Sequence, residues 1–329
     1  MKTKWLFAVI LLMLAACNNG QDRLDIDISG IPDPGMEVHR YGRDLFHMNP
    51  DNIGVELPQL AEVYPFFLGE PPLDTLSYIS IHEFVTDPFL REIAAASDTI
   101  YPDTRAIEKE LNIAWQHLQY YYPEAPVPMV YTYISGLDYE YPVQLHDGIL
   151  LIALDMYLGS GYEPYAAARI PVYRTRRATP EHLVRDVMLE AALGIPRQYK
   201  SENILLDQII EKGKLLYFLD ATLPETDDTI KIGYPEKQLK WCEANESSLW
   251  AFLIENELLF SSDYEKTHKL IIDGPFTSYF PEGSPGRTGW WIGWQVIRSF
   301  MENNPDVSVQ QLMEELTPRH ILDNSSYNP

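Results

Sequence analysis

Proline sets the limits on what this chain can build. Twenty-five of its 329 residues are prolines, spread along the whole length. Each fixes φ, removes a backbone donor and interrupts a helix or a central strand, so the chain is cut into short elements. Hydrophobic residues make up 46% of the sequence, enough to build a packed core, which excludes wholesale disorder. At about 100–200 residues per domain, the length suits one large domain or two small ones. Neither an internal repeat nor a low-complexity tract is present.

Charge excludes one class of partner. Asp and Glu number 48 against 25 Lys and Arg, a formal charge of −23. Nucleic-acid binding needs clustered cations to neutralise phosphates, so the chain is read as having no nucleic-acid partner. Two cysteines do not make a disulfide framework.

The first 17 residues specify an address. Met1-Lys2-Thr3-Lys4 is a short basic start, residues 5–14 are an apolar run, and Ala15-Ala16 are small. This is the pattern of a secretory signal peptide covering residues 1–16, too short to span a bilayer, which takes about 20 apolar residues. Leu14-Ala15-Ala16-Cys17 also reads as a bacterial lipobox, in which Cys17 is acylated and becomes the new N-terminus. One acyl chain gives only marginal membrane binding, whereas two or three hold firmly. Residues 17–35, polar and then rich in acid, Pro and Gly, read as an acylated tether, and residues 36–329 as a single globular domain. No acidic run follows Cys17, which favours the periplasmic face of the cell envelope. Cys242 then remains as an unpaired thiol, expected to be buried and inert.

Patterning within the body predicts an α+β fold: a small mixed sheet followed by a mostly helical C-terminal half. Strands are predicted at residues 36–41, 127–134, 139–145 and 149–154, the last buried on both faces. Helices are predicted within residues 51–64, from Asp87-Pro88 to Ala96, and over 104–122, where Ile107, Leu111, Ala114, Trp115 and Leu118 share a face. Five more follow at residues 180–193, 204–219, 247–260, 263–272 and 286–303, and Ser308 with Gln311 forms a capping box that opens a sixth. Strands do not alternate with helices, so a doubly wound parallel fold is excluded.

Common catalytic signatures are absent. There is no G-x-S-x-G, P-loop, G-x-G-x-x-G or C-x-x-C, and no histidine pair has the spacing of H-E-x-x-H. His182, in the first turn of its helix, reads as a solvated surface residue. Asp186 and Glu190 share a helix face, with Glu211 on the next helix; the plain reading is a solvated acidic face. Residues 286–294 hold Arg287, Trp290, Trp291 and Trp294, with Gly289 and Gly293 on one face allowing close packing. These tryptophans suit either helix-on-sheet packing or the aromatic wall of a ligand cleft with Arg287 at its mouth.

The whole mature chain resembles the gliding-motility lipoprotein GldB family, and several segments carry the resemblance. They are Leu14 to Cys17, Leu45-Phe46, residues 149–159, 170–174, 206–218 and 220–224, and Gly283-Ser-Pro-Gly-Arg-Thr-Gly-Trp-Trp-Ile-Gly-Trp294. The element order also looks like that of a gluzincin-type zinc peptidase. That second resemblance implies a register with Asp186 and Glu190 in the two His slots, Val187 in the catalytic Glu slot and Glu211 as third ligand. Three carboxylates would repel one another in one pocket, and Val cannot act as a general base. The implied protein is a degenerate peptidase-like scaffold, not an enzyme, with no metal and no cofactor. It would sit on a membrane through its lipid anchor and bind envelope proteins of the gliding machinery, which is linked to type IX secretion, through a groove of Asp186, Glu190, Glu211, Arg287, Trp290 and Trp291. Two other readings stand beside it: a glycan- or peptide-binding envelope lipoprotein, and a metal-dependent hydrolase using Asp186, Glu190 and Glu211.

Overall fold

The computed structural model describes residues 23–329. The signal peptide, Cys17 and the start of the tether lie outside the described residues. The remainder of the tether is no free linker. Arg23 Nη1 donates to the Met301 carbonyl at 2.7 Å, Gln116 Nε2 to the Ile31 carbonyl at 2.8 Å, and Leu24 packs on the core. The Pro/Gly-rich composition left these side chain-to-backbone anchors invisible.

The N-terminal part is mainly helical: β1 (Val38–His39), α1 (Tyr41–His47), α2 (Ile53–Val63), α3 (Pro65–Leu68), α4 (Thr75–Thr86), α5 (Pro88–Ile100) and α6 (Arg105–Tyr121). The strand expected over 36–41 shrinks to two residues, because Tyr41 already starts a helix. Helix α4 was not foreseen. Leu76 and Ile79 are exposed and only Val85 is fully buried, while Tyr78, Ile81 and Phe84 pack half-buried against a small core that includes Tyr41, Leu45 and Leu57. Helix α5 begins as predicted: the Asp87 carboxylate accepts from the Phe89 and Leu90 N–H groups, both at 2.9 Å, with Pro88 at the first helical position. Helix α6 buries all five predicted positions.

β2 (Met129–Tyr133), β3 (Val143–His146) and β4 (Ile149–Ala153) complete a four-stranded mixed sheet in the order β1-β2-β4-β3. β2 runs parallel to both β1 and β4, while β3 and β4 form an antiparallel hairpin. Its turn is Asp147-Gly148, both residues at positive φ, the tight geometry that matches strand twist. β4 buries Leu150 and Ile152 but leaves Ile149 and Leu151 half-exposed. Burial on both faces was therefore overstated.

The helical half comprises α7 (Glu163–Ala167), α8 (Val172–Thr175), α9 (Pro180–Leu193), α10 (Leu205–Thr222), α11 (Asp228–Ile232), α12 (Glu236–Glu255), α13 (Tyr264–Ile271), α14 (Thr288–Asn303), α15 (Val309–Glu314) and α16 (Pro318–Asn324). The helix expected over 247–260 instead spans Glu236–Glu255, and Gly286 and Arg287 lie outside α14. The Ser308–Gln311 capping box forms with both bonds at 3.0 Å.

Helices α10 and α14 meet backbone to backbone. A Cβ on Gly293 would overlap the Ile209 carbonyl, and one on Gly213 would overlap the Gly293 carbonyl. Trp291 and Trp294 pack among the helices, not helix on sheet. Trp294, fully buried, donates its Nε1 to Asp220 at 2.8 Å. Arg298 binds the same carboxylate twice, at 2.9 Å each, and Lys231 Nζ lies 3.1 Å from it.

Crowding at this crossing predicts a sharp positional contrast. Gly293→Ala destabilises the purified protein by about 1–3 kcal/mol or more. Gly54→Ala, in helix α2 where nothing lies within 4 Å of the new methyl, is neutral or stabilising by up to about 1 kcal/mol. Urea denaturation of both variants checks the difference.

Candidate functional site

A cavity of about 360 Å³ opens between the approach to β3, the middle of α9 and the start of α14. Helix α9 begins with Pro180 at its first position. Its turn spacing then sends Asp186 and Glu190, with Leu189 beside them, to the cavity. Tyr139, Tyr141 and Val143 line it from β3 and the segment before it, and Arg287 and Trp290 from the start of α14.

Four carboxylates line the cavity, Glu140, Asp186, Glu190 and Asp273, and Glu140 lies 3.8 Å from Arg174 Nη2. Asp186 accepts from Arg185 Nη1 at 2.6 Å and from the Tyr157 hydroxyl at 2.9 Å. Asp273 is surrounded by three guanidiniums: Arg177 hydrogen-bonds to it, while Arg287 Nε lies at 3.2 Å and Arg174 Nε at 3.5 Å. Burial works to raise the Asp273 carboxyl, but Arg287, Arg177 and Arg174 outweigh it and hold it below the usual range. Burial pushes the Glu190 carboxyl up, partly offset by the Leu145 N–H that faces it.

Arg287 is the keystone of the cavity. It is 5% exposed and sits at φ 58°, a left-handed conformation uncommon for a side chain of this size. The Tyr234 hydroxyl fixes this turn by donating to the carbonyls of Gly286, at 2.6 Å, and Arg287, at 3.0 Å. Arg287 Nη2 donates to the Ile232 carbonyl at 3.0 Å, and the guanidinium carbon lies 4.9 Å from the Trp290 ring centre. Burial and the neighbouring Arg177 pull its pKa down to about 10 despite Asp273.

Four of the six groove candidates come together: Asp186, Glu190, Arg287 and Trp290. Two do not. Glu211 belongs to a separate cluster, accepting from Arg197 Nε at 2.9 Å and from the Tyr199 hydroxyl. Lys214 lies 3.7 Å from it, fully buried, and burial draws its amine down to about 7. Trp291 is 4% exposed and packs edge-on against Trp294 inside the helical core. The three carboxylates of the peptidase register therefore do not form one ligand set, and Val187 is completely buried. Among the described residues, no group of three or more His, Cys, Asp and Glu is placed to hold a metal ion.

Arg174, Arg177, Arg185, Asp273 and Tyr157 were missed. The run Arg174-Thr-Arg-Arg177, with Arg185 after it, was the available signal, because such a cluster is anomalous in so acidic a chain. His182 also departs from expectation. It is buried, with Nδ1 2.9 Å from Thr179 Oγ1, and burial lowers its pKa to about 4. Its position in the first turn hid this, because the Thr179 hydroxyl satisfies the ring and lets it enter the core. Cys242 is buried as expected, and burial pushes its thiol well up.

Fold and site together define an α+β protein with an arginine-rich, aromatic-walled cleft beside an edge strand. The chain belongs to the gliding motility protein GldB family, whose sequence profile matches residues 21–329. It is thus a gliding-motility-related lipoprotein of the envelope by family. No curated protein and no solved structure matches it. Among the described residues, no helix is long and apolar enough to cross a membrane.

The buried His182 generates a pH prediction. Its folded pKa lies below the ordinary value of 6.5, so the stability it contributes is present above 6.5 and lost as pH falls towards about 4. The loss is on the order of 3 kcal/mol. In urea titrations across this window, His182→Gln shows a shallower acid-side decline than the parent.

Proposed function

We propose that the protein is a non-catalytic, lipid-anchored component of the gliding and type IX secretion-linked envelope machinery. It acts from the periplasmic face by holding another envelope protein at the Arg287–Trp290 cleft. The observation that carries this reading is the commitment of the cleft's acids. Asp186 is spent on Arg185 and Tyr157, and Asp273 on three arginines. The Asp273 carboxyl, held below the usual range by its guanidiniums, is a poor general base. Glu190, the remaining acid of the α9 pair, has Leu145 N–H facing it. What the cleft offers a partner is fixed donors and aromatic surface, the equipment of recognition.

The anchor follows from Cys17 in its lipobox. Several acyl chains, each methylene worth about 0.8 kcal/mol when buried, hold the body at a membrane surface.

Deletion of the gene is expected to abolish colony spreading and reduce secretion. The wild-type gene restores both, and Cys17→Ser does not. Unchanged spreading and secretion after deletion would reject the motility role. Purified protein is expected to carry sub-stoichiometric zinc, calcium and manganese and to leave casein intact. Chelator-sensitive cleavage would overturn the non-catalytic part.

A further inference from the structure

The arginines of the cleft hold more hydrogen-bonding capacity than the protein uses. Arg185 is 3% exposed and its Nη2 has no hydrogen-bond partner; Nε of Arg174 and Nε of Arg287 lie 3.5 and 3.2 Å from Asp273 but form no hydrogen bond with it. A buried guanidinium N–H without an acceptor costs free energy, and native proteins keep few of them. Four arginines, Arg174, Arg177, Arg185 and Arg287, line the cavity against four acids, Glu140, Asp186, Glu190 and Asp273, and three of the guanidiniums share the carboxylate of Asp273. An anion entering the cavity would meet these spare donors, and planar guanidinium suits a carboxylate in two-point contact.

A second, independent feature says what carries that anion. β3 is the edge of the sheet, paired only with β4. Ala153 N–H donates to the Pro142 carbonyl. Antiparallel alternation then turns the N–H and C=O groups of Val143 and Leu145 towards the free edge. Glu190 faces the Leu145 N–H, so α9 covers that end. The Val143 end lies in the cavity wall, between the exposed ring of Tyr141 and the arginines. An unpaired strand edge is a template for an extended chain.

We propose that the cleft binds an extended peptide bearing a carboxylate: its backbone pairs with the Val143 end of β3, and its carboxylate docks on Arg174, Arg185 and Arg287. The inference deepens the partner-binding reading and rests on it, naming the partner's recognised element as an acidic or C-terminal segment. Trp290 and Tyr141 flank the path and cover the apolar side chains of such a segment.

The test uses detergent-solubilised full-length protein and three pools of fluorescein-labelled hexapeptides, randomised over neutral residues. One pool has a free C-terminus, one is C-terminally amidated, and one is amidated with a single internal Asp or Glu. Fluorescence anisotropy is expected to show at least tenfold tighter binding for a carboxylate-bearing pool than for the neutral amide. Preference for the free-acid pool assigns the terminal carboxylate, and preference for the internal-acid pool assigns a side chain; both support the proposal. N-methylation of alternate peptide amides is expected to weaken the bound pool at least tenfold. Arg174→Gln, a partly exposed position, is expected to abolish the preference for carboxylate while far-ultraviolet circular dichroism stays unchanged. Equal binding of all pools, no binding of any pool, or binding of inorganic phosphate alone would overturn the proposal, and insensitivity to N-methylation would overturn the strand pairing. If Arg174→Gln fails to fold, the pool comparison decides. Peptide binding with no deletion phenotype would reject the motility role and leave the site standing.

Discussion

The contact between Gly213 and Gly293 is the constraint on which the rest of the helical half depends. No side chain separates the two helix backbones there, so α10 and α14 approach as closely as backbone atoms allow. Interiors pack at crystal-like density, and a crossing this tight has little freedom to slide. It places Trp294 against Asp220, and the same carboxylate then gathers Arg298 and Lys231. A buried acid with this many donors is satisfied, and its network ties α14 to α10 and to the short α11. The start of α14 inherits that position, which is how Arg287 and Trp290 come to line the cavity.

The cavity's electrostatics follow from burying arginines rather than from the chain's overall charge. Surface acids keep the molecule strongly negative, yet the cleft is built around guanidiniums fixed by backbone carbonyls and two aspartates. Such groups are oriented before any ligand arrives, so binding costs little reorganisation. The exposed Tyr141 and the edge of β3 add an apolar and a backbone component.

Much of the architecture was legible in the sequence, and the exceptions have physical causes. Helix α6, the Asp87-Pro88 start and the Ser308–Gln311 box are local patterns, and each formed as read. Helix α4 escaped because Val85 is its one fully buried residue and Tyr78, Ile81 and Phe84 are only half-buried, and β1 was overextended because only two residues pair. In the site, Asp186 and Glu190 were found through helix spacing, and Arg287 and Trp290 through an unusual local run. Glu211 and Trp291 were wrongly joined to them, because one sits in a separate ion cluster and the other faces the core. Asp273 and Tyr157 were missed because they reach the cavity through long-range packing that no local spacing encodes.

The central claim is that this cleft, on a tethered body, is where another envelope protein is held. The most direct measurement is site-specific photocrosslinking in living cells from a photoreactive residue at position 141, at the cavity mouth. A light-dependent adduct to an envelope protein, lost when Arg174→Gln is introduced in the same chain, is the predicted result. An adduct that persists with Arg174→Gln, or no adduct from position 141 in cells that glide normally, would contradict the account.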